Sequence, residues 1–153
     1  MSILLSRSCE YAIQSILYIA SMGNDTPVQQ REISKTLNIP SPFLGKILQS
    51  LVHSKILVSQ KGKSGGFLLV KPAKEIYLYE IMKIVEGDNF LEGCFLGFPG
   101  CNDDAPCPLH NHWKKAKENI LELLKKSNLE ELSKGLESKI REIAKLCNIS
   151  GEK

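Results

Sequence analysis

Ser41–Val70, SPFLGKILQSLVHSKILVSQKGKSGGFLLV, is the stretch that decides the fold. Ser41-Pro42 predicts a helix start, with Ser as the cap and Pro at the first helical position, where no N–H is needed. Phe43, Leu44, Ile47, Leu48 and Leu51 then fall on one side at helical spacing, leaving Pro42, Gly45, Lys46, Gln49, Ser50 and His53 on the other. Two short β-type runs follow, Ile56–Gln60 and Phe67–Val70, joined by Lys61-Gly62-Lys63-Ser64-Gly65-Gly66. A helix with a polar outer face, followed by a hairpin whose tip carries lysine and glycine, is the pattern of a winged helix-turn-helix. An exposed hairpin with lysines for solubility would look similar. What precedes it decides for the wing.

Residues 6–22 predict a first helix, with Cys9, Ile13, Ile16, Leu17 and Ala20 on one buried stripe and Gly23-Asn24-Asp25 ending it. Thr26-Pro27 predicts the start of a second helix, with Ile33 and Leu37 inward, and Asn38-Ile39-Pro40 is a tight break before the third. On the other side of the hairpin, Leu78–Glu86 reads as a fourth helix closed by Gly87. A long helix over 108–126 carries Trp113, Ala116, Ile120, Leu123 and Leu124 on one side. Asn128 to Glu131 reads as a capping box, and Leu136–Cys147 as a last amphipathic segment. The expected class is mainly α: a winged helix-turn-helix with a two-stranded β wing plus a long C-terminal dimerisation helix. Its expected parts are a DNA-binding unit (1–87), a cysteine-rich loop (88–107), and a dimerisation helix with a helical extension (108–153). The long stripe needs a partner surface. A second copy of the chain supplies one, predicting a homodimer, and the chain's own first helix is the other candidate.

The composition of the 153 residues, 42% apolar and 24% charged, is that of a globular domain, and the longest N-terminal apolar run, Ala12–Met22, is too short to span a bilayer. With no cleavable signal pattern, the expected location is cytoplasmic, without a membrane partner. The net charge of +3 hides an asymmetry. Between Arg31 and Lys71 seven bases face one acid, Glu32, which points to a polyanion; residues 87–113 carry four acids and no Lys or Arg. Ser41, Lys46 and Gln49 are placed to reach the major groove of double-stranded DNA or its phosphates, and Lys61 and Lys63 the minor groove.

The acidic segment holds three cysteines within 14 positions, Cys94, Cys101 and Cys107, separated by Gly, Pro and Asp, with His110 next. Five cysteines, an odd number, argue against a disulfide scaffold. These three fit no helical or strand stripe, and thiolates on a Gly/Pro loop suit a soft inorganic centre. Three Cys with one His is also a tetrahedral zinc set. Phe95, Leu96 and Phe98 are candidates to screen the centre or to anchor the loop. Cys9 and Cys147 lie on helical stripes and read as core. No paired carboxylates, activated nucleophile or phosphate loop suggests an enzyme.

Taken together, Glu10-Tyr11-Ala12-Ile13, Ser41–Leu48, the Gly65-Gly66-Phe67 wing, Ile81–Gly87 and the three-cysteine loop resemble the IscR/NsrR type of winged-helix iron–sulfur regulators, the Rrf2 family, over roughly residues 3–135. The resemblance implies a dimeric transcriptional repressor or activator whose affinity for its DNA operator responds to a 2Fe-2S or 4Fe-4S cluster, as a sensor of iron–sulfur status, redox state or nitric oxide. It carries cluster ligation to Cys94, Cys101 and Cys107. For the fourth ligand it offers His110, matching the cluster-biogenesis regulators, or Glu10 of the other subunit, matching the nitric-oxide-sensing branch. The six residues between Cys94 and Cys101 are one more than the family's usual spacing. A zinc-containing winged-helix regulator and a small iron–sulfur electron-transfer protein are the rival readings.

Overall fold

The computed structural model describes residues 4–150, with side chains through Cys147. Its order is α1 (Arg7–Ser21), α2 (Gln30–Leu37), α3 (Ser41–His53), β1 (Leu57–Gln60), β2 (Gly66–Leu69), a 3-10 turn (Ala73–Glu75), α4 (Leu78–Glu86), α5 (His110–Lys126), α6 (Leu129–Ser133) and α7 (Leu136–Ser150). The winged helix-turn-helix, the two-stranded wing and the long C-terminal helix are all present. Ser6 caps α1 by accepting from the Cys9 N–H at 3.1 Å, satisfying one donor that the first turn leaves open. Asn38 ends α2 in the left-handed conformation, φ 54°, which turns the chain sharply into α3.

One core holds α1 to α3 together. Ile16 and Ile19 of α1 meet Ile33 of α2, Leu44, Leu48 and Leu51 of α3, and Leu57 at the start of the wing. Each such fully buried side chain contributes roughly 1.5–3 kcal/mol through the water it leaves. The wing is antiparallel, with Leu57 opposite Leu69 and Gln60 opposite Gly66. Val28 joins its edge, exchanging backbone hydrogen bonds with Phe67 at 3.0 and 2.8 Å. This approach is why Gly66 is glycine: a Cβ there would lie 2.6 Å from the Val28 backbone.

Some local expectations change. Thr26-Pro27 does not open α2, because Val28 is taken by the wing edge, and the helix starts at Gln30. Ser41 is already helical, with Pro40 at the cap and no side-chain capping bond, so Pro42 lies just inside the start. Phe43 is exposed rather than buried, and its ring stands edge-on to Tyr11 at 5.6 Å. On α5, Leu124 is buried against Cys9 and Met82, with Ile120 packed alongside, but Leu123 turns outward and is 63% exposed. One intramolecular seat therefore takes only part of the α5 stripe. Beyond α5 the chain returns to the winged-helix unit. Tyr77 and Asn128 form a β-bridge, Leu129 is fully buried in the core, and Leu136, Ile140 and Ile143 pack against that core. Asn128 caps α6 by accepting from the Glu131 N–H at 3.0 Å.

Candidate metal centre and the exposed residues of α3 and the wing

The segment between α4 and α5 contains no helix or strand, and its Gly and Pro residues make that path possible. Its shape is set at two anchors. At its root, the Glu86 carboxylate accepts from the Ser6 backbone N–H at 3.0 Å and from the Ser6 hydroxyl, so the end of α4 and the start of α1 are tied. Further on, the Trp113 indole N–H donates to the Gly93 carbonyl at 3.1 Å, and the Phe95 ring tilts against Trp113 at 5.1 Å. Phe95 remains 60% exposed, and Leu96 and Phe98 are likewise exposed, so within one chain they do not cover the thiols.

The loop folds its cysteines together. One sulfur from each of Cys94, Cys101 and Cys107 lies within 4.8 Å of the other two, and the Cys94 and Cys107 sulfurs are 3.5 Å apart. The Cys107 N–H donates to the Cys101 sulfur at 3.4 Å. The beginning of α5 brings His110 to the edge of the group, with Nδ1 3.2 Å from the Cys101 sulfur. Its Nε2 is 2.9 Å from Asp103 Oδ1, and Asp103 also accepts from the Lys114 ammonium at 2.8 and 3.0 Å. A hollow of about 260 Å³ opens beside the sulfurs, lined among others by Gly93, Cys94, Cys101, Asp103, His110 and Trp113.

The electrostatics separate the thiols. Partial burial raises the Cys94 pKa, but hydrogen bonds from the Phe98 backbone and the Cys107 thiol, with help from Leu96 and Cys101, outweigh it and bring the thiol down to about 7. Cys101 moves up: the Cys107 N–H lowers it, but partial burial and the neighbouring Cys107 and Cys94 prevail. Hydrogen bonds from Lys114 and then His110 take the Asp103 carboxyl to about 2. Cys9 is different in kind. Burial first, then the Glu86 charge and hydrogen bond, push it up to about 12, as fits a core residue. Cys147 is half-buried on α7.

Glu10 sits elsewhere, in the first turn of α1, with Arg7 3.5 Å from its carboxylate. A single chain thus gathers Cys94, Cys101 and Cys107, with His110 beside Cys101 at the edge of the group and Glu10 away on α1. Ser41, Lys46 and Gln49 are exposed along α3, and Lys61 and Lys63 at the wing tip. Two neighbouring residues that sequence reasoning overlooked hold these elements. The Gln29 amide donates to the Lys63 carbonyl at 3.1 Å, and the Gln30 amide to the Ser41 carbonyl at 2.9 Å and its hydroxyl at 3.2 Å. Nothing in the local pattern signals them, because exposed glutamines at a helix start have no periodic signature.

Residues 5–135 match the family model described as "Rrf2: Iron-dependent Transcriptional regulator". The chain belongs to the Rrf2 family. It is 30% identical to a putative HTH-type transcriptional regulator of Aquifex aeolicus, over 84% of this chain and 90% of that protein. It is 29% identical to the HTH-type transcriptional regulator IscR of Xenorhabdus nematophila, over 87% of this chain and 80% of the relative. Among solved structures, CymR, the global cysteine regulator of B. subtilis, shares the fold with a TM-score of 0.75 at 19% identity, covering 87% of this chain and 98% of CymR. Rrf2 relatives of this kind are transcriptional regulators, not enzymes. The present member is accordingly a DNA-binding winged-helix transcriptional regulator. Among the described residues no helix is long and apolar enough to cross a membrane.

Proposed function

We propose that this chain is a cytoplasmic, homodimeric transcriptional regulator whose affinity for its DNA operator is set by an iron–sulfur cluster at Cys94, Cys101 and Cys107. The observation that carries the reading is the convergence of three sulfurs, all within 4.8 Å, on a loop rooted in the winged-helix unit. The donor set fits such a group: soft thiols, one of them close to its thiolate form near neutral pH, beside a hollow. His110 of the same chain is one candidate fourth ligand and Glu10 of a second subunit the other. When bound, a 2Fe-2S or 4Fe-4S cluster supplies one-electron chemistry and a centre that oxygen or nitric oxide attacks.

The chain's own residues supply the coupling. Glu86 at the loop root holds the start of α1 through Ser6, and α1 packs on α3, so a shift in the loop reaches the reading helix through packed elements. Leu123, the exposed member of the α5 stripe, offers the second subunit a seat. In the arrangement with Glu10 as ligand, each loop is tied to the other subunit's α1, and cluster loss changes the spacing of the two reading helices.

The test is anaerobic purification with absorbance, iron and sulfide analysis, followed by DNA binding before and after exposure to oxygen or nitric oxide. The expected result is a coloured protein with iron and sulfide, and DNA affinity that changes on exposure. A colourless protein with one zinc overturns the cluster and leaves the zinc-containing regulator. An iron–sulfur protein that ignores every genomic fragment points instead to the electron carrier.

A further inference from the structure

Resting on the cluster reading above with His110 as the fourth ligand, we propose that Asp103 is the positioning residue of this site: its carboxylate holds His110 by Nε2 and turns Nδ1 to the Cys101 sulfur, with Lys114 holding the carboxylate in turn. Asp103 stands outside the three-sulfur group. Its role follows from who can donate. Both of its oxygens accept from the Lys114 ammonium, and Oδ1 also faces His110 Nε2 at 2.9 Å. A carboxylate so placed is an acceptor only, so the hydrogen between the two residues lies on Nε2. A neutral imidazole has one N–H, and Nδ1, 3.2 Å from the Cys101 sulfur, therefore presents its lone pair to the site. A carboxylate behind a metal-binding histidine fixes the ring's orientation and raises its basicity.

Two features hold this exposed ion pair in place. The segment presenting Asp103 is a closed turn, in which the Asn102 side-chain oxygen accepts from the backbone N–H groups of Asp104 at 2.9 Å and Ala105 at 2.8 Å. Lys114 stands four residues after His110 on α5, so both reach the carboxylate from one helical face. The sequence Lys114, Asp103, His110, Cys101 thus stitches the loop to α5 before any metal arrives, and it holds His110 at the edge of the three-thiol group within a single chain.

The experiment uses the full-length wild type with Asp103→Asn, Asp103→Glu and Lys114→Gln. In metal-free, reduced protein, nitrogen-15 imidazole NMR reads the tautomer, with His110→Gln for assignment. The expected result is His110 with hydrogen on Nε2 in the wild type, a mixed tautomer in Asp103→Asn, and recovery in Asp103→Glu. In reconstituted protein, iron release to a chelator is expected about 10- to 100-fold faster for Asp103→Asn, with a changed histidine-nitrogen coupling by pulsed EPR and a smaller change for Lys114→Gln. Hydrogen on Nδ1 in the wild type overturns the proposal, as does a tautomer unchanged in Asp103→Asn. A wild type without iron and sulfide overturns the cluster reading instead, while the NMR still judges Asp103.

Discussion

The DNA-reading unit and the cysteine loop are built on opposite principles. In the first, α1, α2, α3 and the wing share a core in which Ile16, Ile33, Leu44 and Leu48 are fully buried, and the polar surface is left free for a ligand. In the second, residues 93–109 bury little and are held by individual contacts, such as Trp113 to Gly93, Phe95 to Trp113 and Cys107 to Cys101. Packing makes the reading unit one cooperative body. The loop has no such reserve, so its shape depends on a few side chains and on whatever they bind. In the proposed sensor, this division separates the part that must change from the part that must stay folded.

The largest effect that separates the two regions comes from crossing two substitutions. Leu44→Ala leaves a cavity in the shared core and should cost about 2–5 kcal/mol of stability with or without metal. Cys107→Ser should abolish iron binding while leaving the melting of the metal-free protein within about 0.5 kcal/mol, as expected of a change outside the core. Calorimetry and metal analysis of both variants check the pair. If Cys107→Ser unfolds the metal-free chain as Leu44→Ala does, the loop is part of the core and the contrast fails.

Next in size is the DNA interface. Lys61→Ala removes one exposed charge from the wing tip without touching the core. Its binding should weaken alike for all sequences, and the slope of log affinity against log salt should fall by about 0.9. Affinity unchanged at low salt would remove the wing from the interface. A loss confined to one operator would make Lys61 a base reader.

The same contrast explains what was legible in the sequence. The helices and the wing are written as periodic stripes and turn residues, and their order appears in the structure with shifts of a few residues. The misplaced details are those decided by tertiary neighbours. Val28 is drawn to Phe67 and delays α2, Phe43 leans on Tyr11 instead of entering the core, and Leu123 lies one step off the seat that Leu124 fills. In the loop, the cysteines were visible because such a cluster has no packing explanation. Asp103 was not, because an acid in an acidic, Gly/Pro-rich loop is unremarkable until its partners are known. Nor could one chain's sequence weigh His110 against Glu10, since spacing does not say which residues from distant elements meet.

A finer division concerns the thiols of the metal-free, reduced protein. The lowered pKa of Cys94, about 7, means that its thiolate predominates above that pH, so its alkylation should plateau there and slow about tenfold for each pH unit below. The raised pKa of Cys9, about 12, keeps it protonated and buried through the same range. Iodoacetamide labelling followed by peptide mass spectrometry should therefore mark Cys94 well before Cys9. Equal rates would mean that α1 opens as readily as the loop.

The smallest effect lies inside the packed unit. Ser15 in α1 is fully buried, and its hydroxyl has no hydrogen-bond partner among the described residues. A hydroxyl taken from water without compensation is a standing cost, and serine is also a poorer helix former than alanine. Ser15→Ala removes both and nearly preserves volume, so it should raise stability by about 1 kcal/mol while leaving iron content and DNA affinity unchanged. Thermal melting and denaturant midpoints read the gain. A loss of stability would show that the hydroxyl is satisfied in the folded protein, and the core of the reading unit would then be more polar than its packing implies.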